Sequence, residues 1–278
     1  MLQDSIWTGL FFLAGIFCGS TLMGIAAIVS VITGTYTARL LNYDKEEIAG
    51  GLYGFSATLV GVALVCFFQS TLIIWAAILV GSMLATVIQH FFIVKKIPAY
   101  TFPFILVTWL ALFIFSHFPA LVRPQPAQVG IAVDNTFYCL SVLSLGFGQV
   151  IFQSSIWAGV LFFIGVLISK PIAALYAVAG AALSGIIAYW LGQPVVVIYL
   201  GLLSYNAVLC AITFAGKKLK DIIPALISIV LSVLIVIQMM DMGLPALTFP
   251  FVLATWLTLI MNKGIAAMQV KKPTQLEQ

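Results

Sequence analysis

Of 278 residues, 63% are hydrophobic and 7% are charged, whereas an ordinary soluble domain carries about 25% charged residues. That composition excludes a water-soluble globular fold. Twelve Lys and Arg against eight Asp and Glu give a net charge of +4, but the basic residues lie in short segments between apolar runs and form no stripe, so no nucleic-acid partner is indicated.

The first apolar run extends from Ser5 to Ala38. It is too long for the apolar region of a secretory signal and no basic segment precedes it, so it is expected to stay in the mature chain. Runs such as this one and Thr71 to Val94 suffice to cross a hydrocarbon layer of about 30 Å. In chain order, the first half predicts five transmembrane helices at roughly 5–20, 21–38, 48–68, 70–94 and 97–116. Cys18, Cys66, Cys139 and Cys210 stand alone, without metal or disulfide spacing. They read as small apolar fillers, and no metal or cofactor is expected.

The second half repeats the first. Ser5-Ile6-Trp7-Thr8-Gly9 returns as Ser155-Ile156-Trp157-Ala158-Gly159, and the segment Gly51 to Ala57 returns as Gly201 to Ala207, both 150 residues later. Pro98-Ala99-Tyr100-Thr101-Phe102-Pro103-Phe104 returns as Pro245-Ala246-Leu247-Thr248-Phe249-Pro250-Phe251 after 147 residues. An odd number of spans inverts the second copy. With the N-terminus inside, Arg39, Lys45, Lys95, Lys96, Lys170, Lys217, Lys218, Lys220, Lys263, Lys271 and Lys272 all face the cytoplasm, leaving Arg123 outside. That distribution obeys the positive-inside rule. The expected fold is therefore an all-α integral membrane protein of two inverted-topology repeats of five transmembrane helices each. Its parts are a first repeat over 1–117, an outside linker over 118–136, a second repeat over 137–264 and a cytoplasmic tail over 265–278. Both termini are expected in the cytoplasm. The lack of an Asn-x-Ser/Thr acceptor and of a long soluble tail favours a bacterial inner membrane. Repeats of this kind place a substrate site near the midplane, between the halves.

The Thr-Phe-Pro-Phe segments are unusual for membrane helices. Pro98 and Pro245 suit a first helical turn, but Pro103 and Pro250 fall a turn later, predicting a Pro-broken re-entrant half-helix before the last span of each repeat. Each such Pro removes a donor and frees the carbonyl of Ala99 or Ala246. Bare carbonyls at membrane depth need protein or a wet cavity beside them. With the hydroxyls of Thr101 and Thr248 they form two short columns of acceptors, suited to a small ligand rich in N–H groups. The bland alternative is a kinked helix whose Thr bonds to its own backbone.

Phe55, Leu59, Tyr205, Leu209 and Phe152 form a second set at corresponding places, flanked by Gly51, Gly54, Gly61 and Gly201. On periodicity alone core packing is the favoured reading over a flat slot for a planar solute, since apolar spacing in a membrane bundle is uninformative. No Lys, Arg, Asp or Glu falls near the middle of a span. Ion-coupled transporters and proton relays use such groups, so a passive pathway for a neutral solute is expected. His90 and His117 have no matched partner in the other copy and read as interface or loop residues. No carboxylate pair, metal cluster or Ser/His/Asp set points to an enzyme.

These duplicated segments, together with Gly51 to Gly61 and Gly148-Gln149-Val150-Ile151-Phe152, resemble the signatures of urea transporters over nearly the whole chain. The resemblance implies a homotrimer in the lipid bilayer with one pore per subunit, urea passing down its gradient. It also implies that Thr101 and Thr248 belong to oxygen ladders, that Phe55, Leu59, Phe152, Tyr205 and Leu209 line the slot, and that Gln149 sits at its mouth. The first copy departs from the pattern: Leu2 stands where the second has Phe152, and the counterpart of Gln149 would precede Met1. Alternative readings are a channel for other small neutral amides or ammonia, and a non-transporting structural or regulatory membrane protein.

Overall fold

Although hydropathy is continuous from Ser5 to Ala38, the chain breaks there at Ser20, whose backbone is extended (φ −159°) and whose hydroxyl accepts the Met23 N–H. A Ser side chain competes for backbone donors and so ends one helix and starts the next. Ser5, Thr71 and Ser155 cap helices in the same way. The computed structural model describes residues 3, 5–119, 122–125 and 138–270, with side chains at 138–140 and 264–270 left aside.

The first half holds α1 (Ile6–Gly19), α2 (Thr21–Leu40), α3 (Lys45–Ala49), α4 (Gly54–Phe67), α5 (Leu72–Val94) and α6 (Phe102–Ser116). The second holds α7 (Tyr138–Gly148), α8 (Ile156–Ser169), α9 (Pro171–Trp190), α10 (Val195–Tyr199), α11 (Tyr205–Phe214), α12 (Ile222–Asp241) and α13 (Phe249–Val270). No named strand occurs among the described residues, and the chain is a multi-pass helical membrane protein.

Two expectations need correction. Among the described residues α2, α5, α9 and the 219–241 segment are the helices long and apolar enough to cross a membrane individually. Helices α1 and α4 have 14 residues and α6 has 15, about 21–23 Å at 1.5 Å per residue. The run at 48–68 is broken because Gly50 and Gly51 end α3, Gly51 in the left-handed region at φ 73°. Nor does a half-helix precede α6 or α13. Residues 97–101 form a turn, and Pro103 is the second residue of α6, where a missing N–H costs nothing. The sharp break lies elsewhere, between α7 and α8, which are bent by 80° around the 3-10 turn Gln149–Ile151.

Packing within the halves corresponds pair by pair. α2 packs on α4 as α9 does on α11, α4 on α5 as α11 on α12, and α5 on α6 as α12 on α13. Left-handed residues recur at matching places: Asn42 and Gly192, Gly51 and Gly201, Lys96 and Gly243, Tyr100 and Leu247. The halves meet through α1 and α8, where the Phe12 and Phe162 rings lie 5.2 Å apart. Gly15 faces the Phe162 ring while Gly165 faces Phe12, small residues letting the backbones approach. Thr8 closes the contact by donating to the Gly165 carbonyl at 2.8 Å.

Candidate functional site

The second contact between the halves joins α6 to α13 and carries the duplicated Thr-Phe-Pro-Phe segments. Each segment enters its helix through a left-handed residue, Tyr100 at φ 48° and Leu247 at φ 46°. Side chains of this type seldom adopt that conformation, so surrounding structure must hold it. Each half supplies the hold for the other. Trp109 Nε1 donates to the Pro245 carbonyl at 2.8 Å, and Trp256 Nε1 to the Pro98 carbonyl at 2.9 Å. Phe249 lies against Trp109 and Phe102 against Trp256, both with centroids 5.1 Å apart.

Between these pins the hydroxyls of Thr101 and Thr248 meet at 2.7 Å, both side chains buried. Other hydroxyls take the ordinary route: Thr33, Thr58, Thr213 and Thr258 donate to carbonyls four residues back. A threonine that opens its helix has no such carbonyl, so these two hydroxyls point across the seam. Two hydroxyls hold two protons and four lone pairs; one mutual bond leaves a donor and three acceptor positions free for a third molecule.

The carbonyls of Ala99 and Ala246 differ from expectation. Because the helices start after them, they are not released by Pro103 and Pro250; each accepts the N–H three residues on, from Phe102 at 2.9 Å and Phe249 at 3.0 Å. Ala99 is buried and Ala246 partly so.

The apolar set surrounds these turns unevenly. Phe55 and Leu59 lie one turn apart on α4, as Tyr205 and Leu209 do on α11, with Leu59 and Leu209 buried and the two rings half-buried. Phe152, left-handed at φ 58°, reaches into the first half, its ring 5.8 Å from Phe67 and 6.1 Å from Phe104. Gln149 is half-buried and donates to the Ser154 hydroxyl at 3.2 Å. Leu2 lies outside the described residues.

Sequence reasoning missed how the second turn is held. Tyr205 donates its hydroxyl to the Leu247 carbonyl at 2.6 Å, joined by Asn206 Nδ2 at 3.3 Å, while Asn206 Oδ1 accepts the Phe251 N–H at 3.1 Å. In the first half Phe55 has no hydroxyl, and Ser56 donates to Gln89 Oε1 at 3.3 Å. A buried Asn in a chain without mid-span charge was the available signal. Among the described residues the buried polar side chains are Ser, Thr, Asn and Gln, so the interior offers neutral dipoles to whatever enters it. His90, near the end of α5, bonds Tyr53 at 2.9 Å and stacks on Tyr43, away from this seam.

Residues 1–263 match the family model described as Urea transporter. The chain is similar to urea transporter 1 of Ovis aries, Capra hircus and Rattus norvegicus. Each is 28% identical over 296 aligned positions, spanning 98% of this chain and 77% of the relative.

Proposed function

Because the chain belongs to the urea transporter family, whose members are transporters and not enzymes, we propose that it conducts urea passively through a path at the seam of its halves. Urea transport across the membrane follows from the family; the path and its passivity are our reading. The observation that carries it is the Thr101–Thr248 hydroxyl pair, 2.7 Å across the seam and built from two matched turns. Urea is planar and neutral, with four N–H donors and one carbonyl. Parting the threonines breaks one hydrogen bond and exposes hydroxyls that accept urea N–H groups and donate to its carbonyl. Leaving a desolvated donor unpaired costs about 1–3 kcal/mol, so replacing water by these hydroxyls lowers the barrier. The apolar walls of Phe55, Leu59, Phe152, Tyr205 and Leu209 give an ion nothing to replace its hydration shell.

The same reading takes the halves as inverted repeats. Reciprocal pins, in which each half's Trp holds the other's turn, are what a two-fold relation produces. The one-sided distribution of basic residues supports an axis in the membrane plane, with the 118–136 linker outside and the termini in the cytoplasm. We further take the assembly as a homotrimer with one pore per subunit in an inner membrane.

Purified protein in liposomes, challenged osmotically with urea, formamide, acetamide and ammonium, tests the proposal. Urea flux is expected to exceed the others and to ignore imposed voltage and proton gradient. Accumulation of urea against its own gradient under either force would end the passive reading.

A further inference from the structure

Where α2 ends and α3 begins, a surface hollow of about 750 Å³ opens, lined by Thr35, Arg39, Asn42 and Lys45 among others. It shares Thr35 and Arg39 with a second hollow of about 250 Å³ that runs back along α2 over Val31, Ile32 and Tyr36. Together they form one groove, cationic at one end and apolar at the other. Ile32 and Tyr36 are about three-fifths exposed, at 61% and 60%.

Among the described residues neither Arg39 nor Lys45 pairs with an acid; of the neighbouring acids Asp44 and Glu47 are engaged, while Glu46 is exposed and lines neither hollow. The Asp44 carboxylate accepts the N–H groups of Glu46 and Glu47 at 2.9 and 3.0 Å, capping α3. The Glu47 carboxylate accepts the Tyr53 hydroxyl. No carboxylate lines either hollow. One wall is fixed, because Tyr43 stacks on His90 with centroids 3.6 Å apart and planes within 7°. The matching corner of the second half has none of this: Tyr189, Gly192 and Val195 stand where Arg39, Asn42 and Lys45 do.

We propose that this groove binds an anionic phospholipid, its phosphodiester held by Arg39 and Lys45 and an acyl chain lying on Val31, Ile32 and Tyr36. Guanidinium and ammonium groups complement the phosphate, and Thr35 and Asn42 supply polar neighbours for the rest of the headgroup. The charge bias of the chain turns this corner towards the cytoplasmic leaflet, which carries the anionic lipid. The proposal does not rest on the urea pathway, which lies at the seam.

Native mass spectrometry of the detergent-purified protein with phosphatidylglycerol or phosphatidylcholine tests it. The parent protein is expected to retain phosphatidylglycerol preferentially. At about five-fold per cation near a charged surface, Arg39→Gln with Lys45→Gln should lower that retention by about twenty-five-fold and leave phosphatidylcholine unchanged. Both side chains are exposed, so this variant keeps its core; Ile32→Asp should weaken both lipids. Equal retention of the two lipids by the parent protein would overturn the proposal, as would an undiminished preference in the double variant. Displacement of the lipid by inorganic phosphate would make this a phosphate site instead. Disulfide trapping of a cysteine at position 36 to a second subunit would show a protein neighbour there and also overturn it.

Discussion

Thr101 and Thr248 share one hydrogen bond, so stability and flux should respond to their loss by different rules. Thr→Val at either site keeps shape but leaves the opposite hydroxyl buried and unpaired, at about 1–3 kcal/mol. Replacing both removes the orphan, and such paired replacements are nearly neutral. The double variant should therefore melt no lower than the worse single one. Flux should behave oppositely: each Val removes an acceptor from the pathway, slowing urea by about five- to a hundred-fold for 1–3 kcal/mol, and the double variant should be slowest. Thermal melting in detergent and urea flux in liposomes, measured on the same preparations, check both limbs. Single valine variants that conduct like the parent would show that urea does not depend on these hydroxyls. Asn206 makes a complementary case. It bonds both the Leu247 carbonyl and the Phe251 N–H, so Asn206→Leu should lower stability by about 1–3 kcal/mol, and more than Tyr205→Phe, which leaves the Leu247 carbonyl its Asn206 partner.

At the scale of elements, Gly9 and Gly159 occupy identical places in the repeated Ser-Ile-Trp-x-Gly segment and should differ in tolerance. A Cβ on Gly159 would overlap the Ser144 carbonyl of α7, whereas around Gly9 nothing among the described residues lies within 4 Å. Backbone cannot rotate aside as a side chain does, so Gly159→Ala should cost at least the 1–3 kcal/mol typical of overpacking. Gly9→Ala should be neutral or slightly stabilising, and melting curves of the two variants decide it. The contrast also marks what was legible in the sequence. Repeated segments marked α1 with α8, α4 with α11 and α6 with α13, and the doubled Thr-Phe-Pro-Phe lies where α6 meets α13. The helix starts did not follow from them. Proline reads alike as a kink or as a second helical residue, and only the left-handed turn at Tyr100 decides between them; nothing in a tyrosine announces φ 48°. Helix α3 was hidden because its Ile48 and Ala49 continue into the apolar run, and Asn206 was overlooked because its counterpart, Ser56, is too short to make the same bonds.

Across the whole molecule, the proposed inverted arrangement predicts sidedness. Single cysteines at Lys95 and Lys217, in a background without the native cysteines, should resist an impermeant thiol reagent on intact cells, while one at Arg123 should label. Labelling at 217 would contradict an inverted second half. Sidedness has its basis in span number, which helix length alone does not give here: the 48–68 run is divided between α3 and α4 by Gly50 and Gly51.

The crossed tryptophan pins also set a schedule for synthesis. Trp109 is made long before the Pro245 carbonyl that it bonds, and the Gly15 socket long before the Phe162 ring that fills it. At about 5–20 residues per second, the ribosome needs about seven to thirty seconds to supply the missing partners. For that interval the first half waits in the membrane with its mating faces bare. Nascent chains halted after residue 117 should therefore be captured by insertion factors or membrane proteases, and should be released from them once translation has passed Trp256.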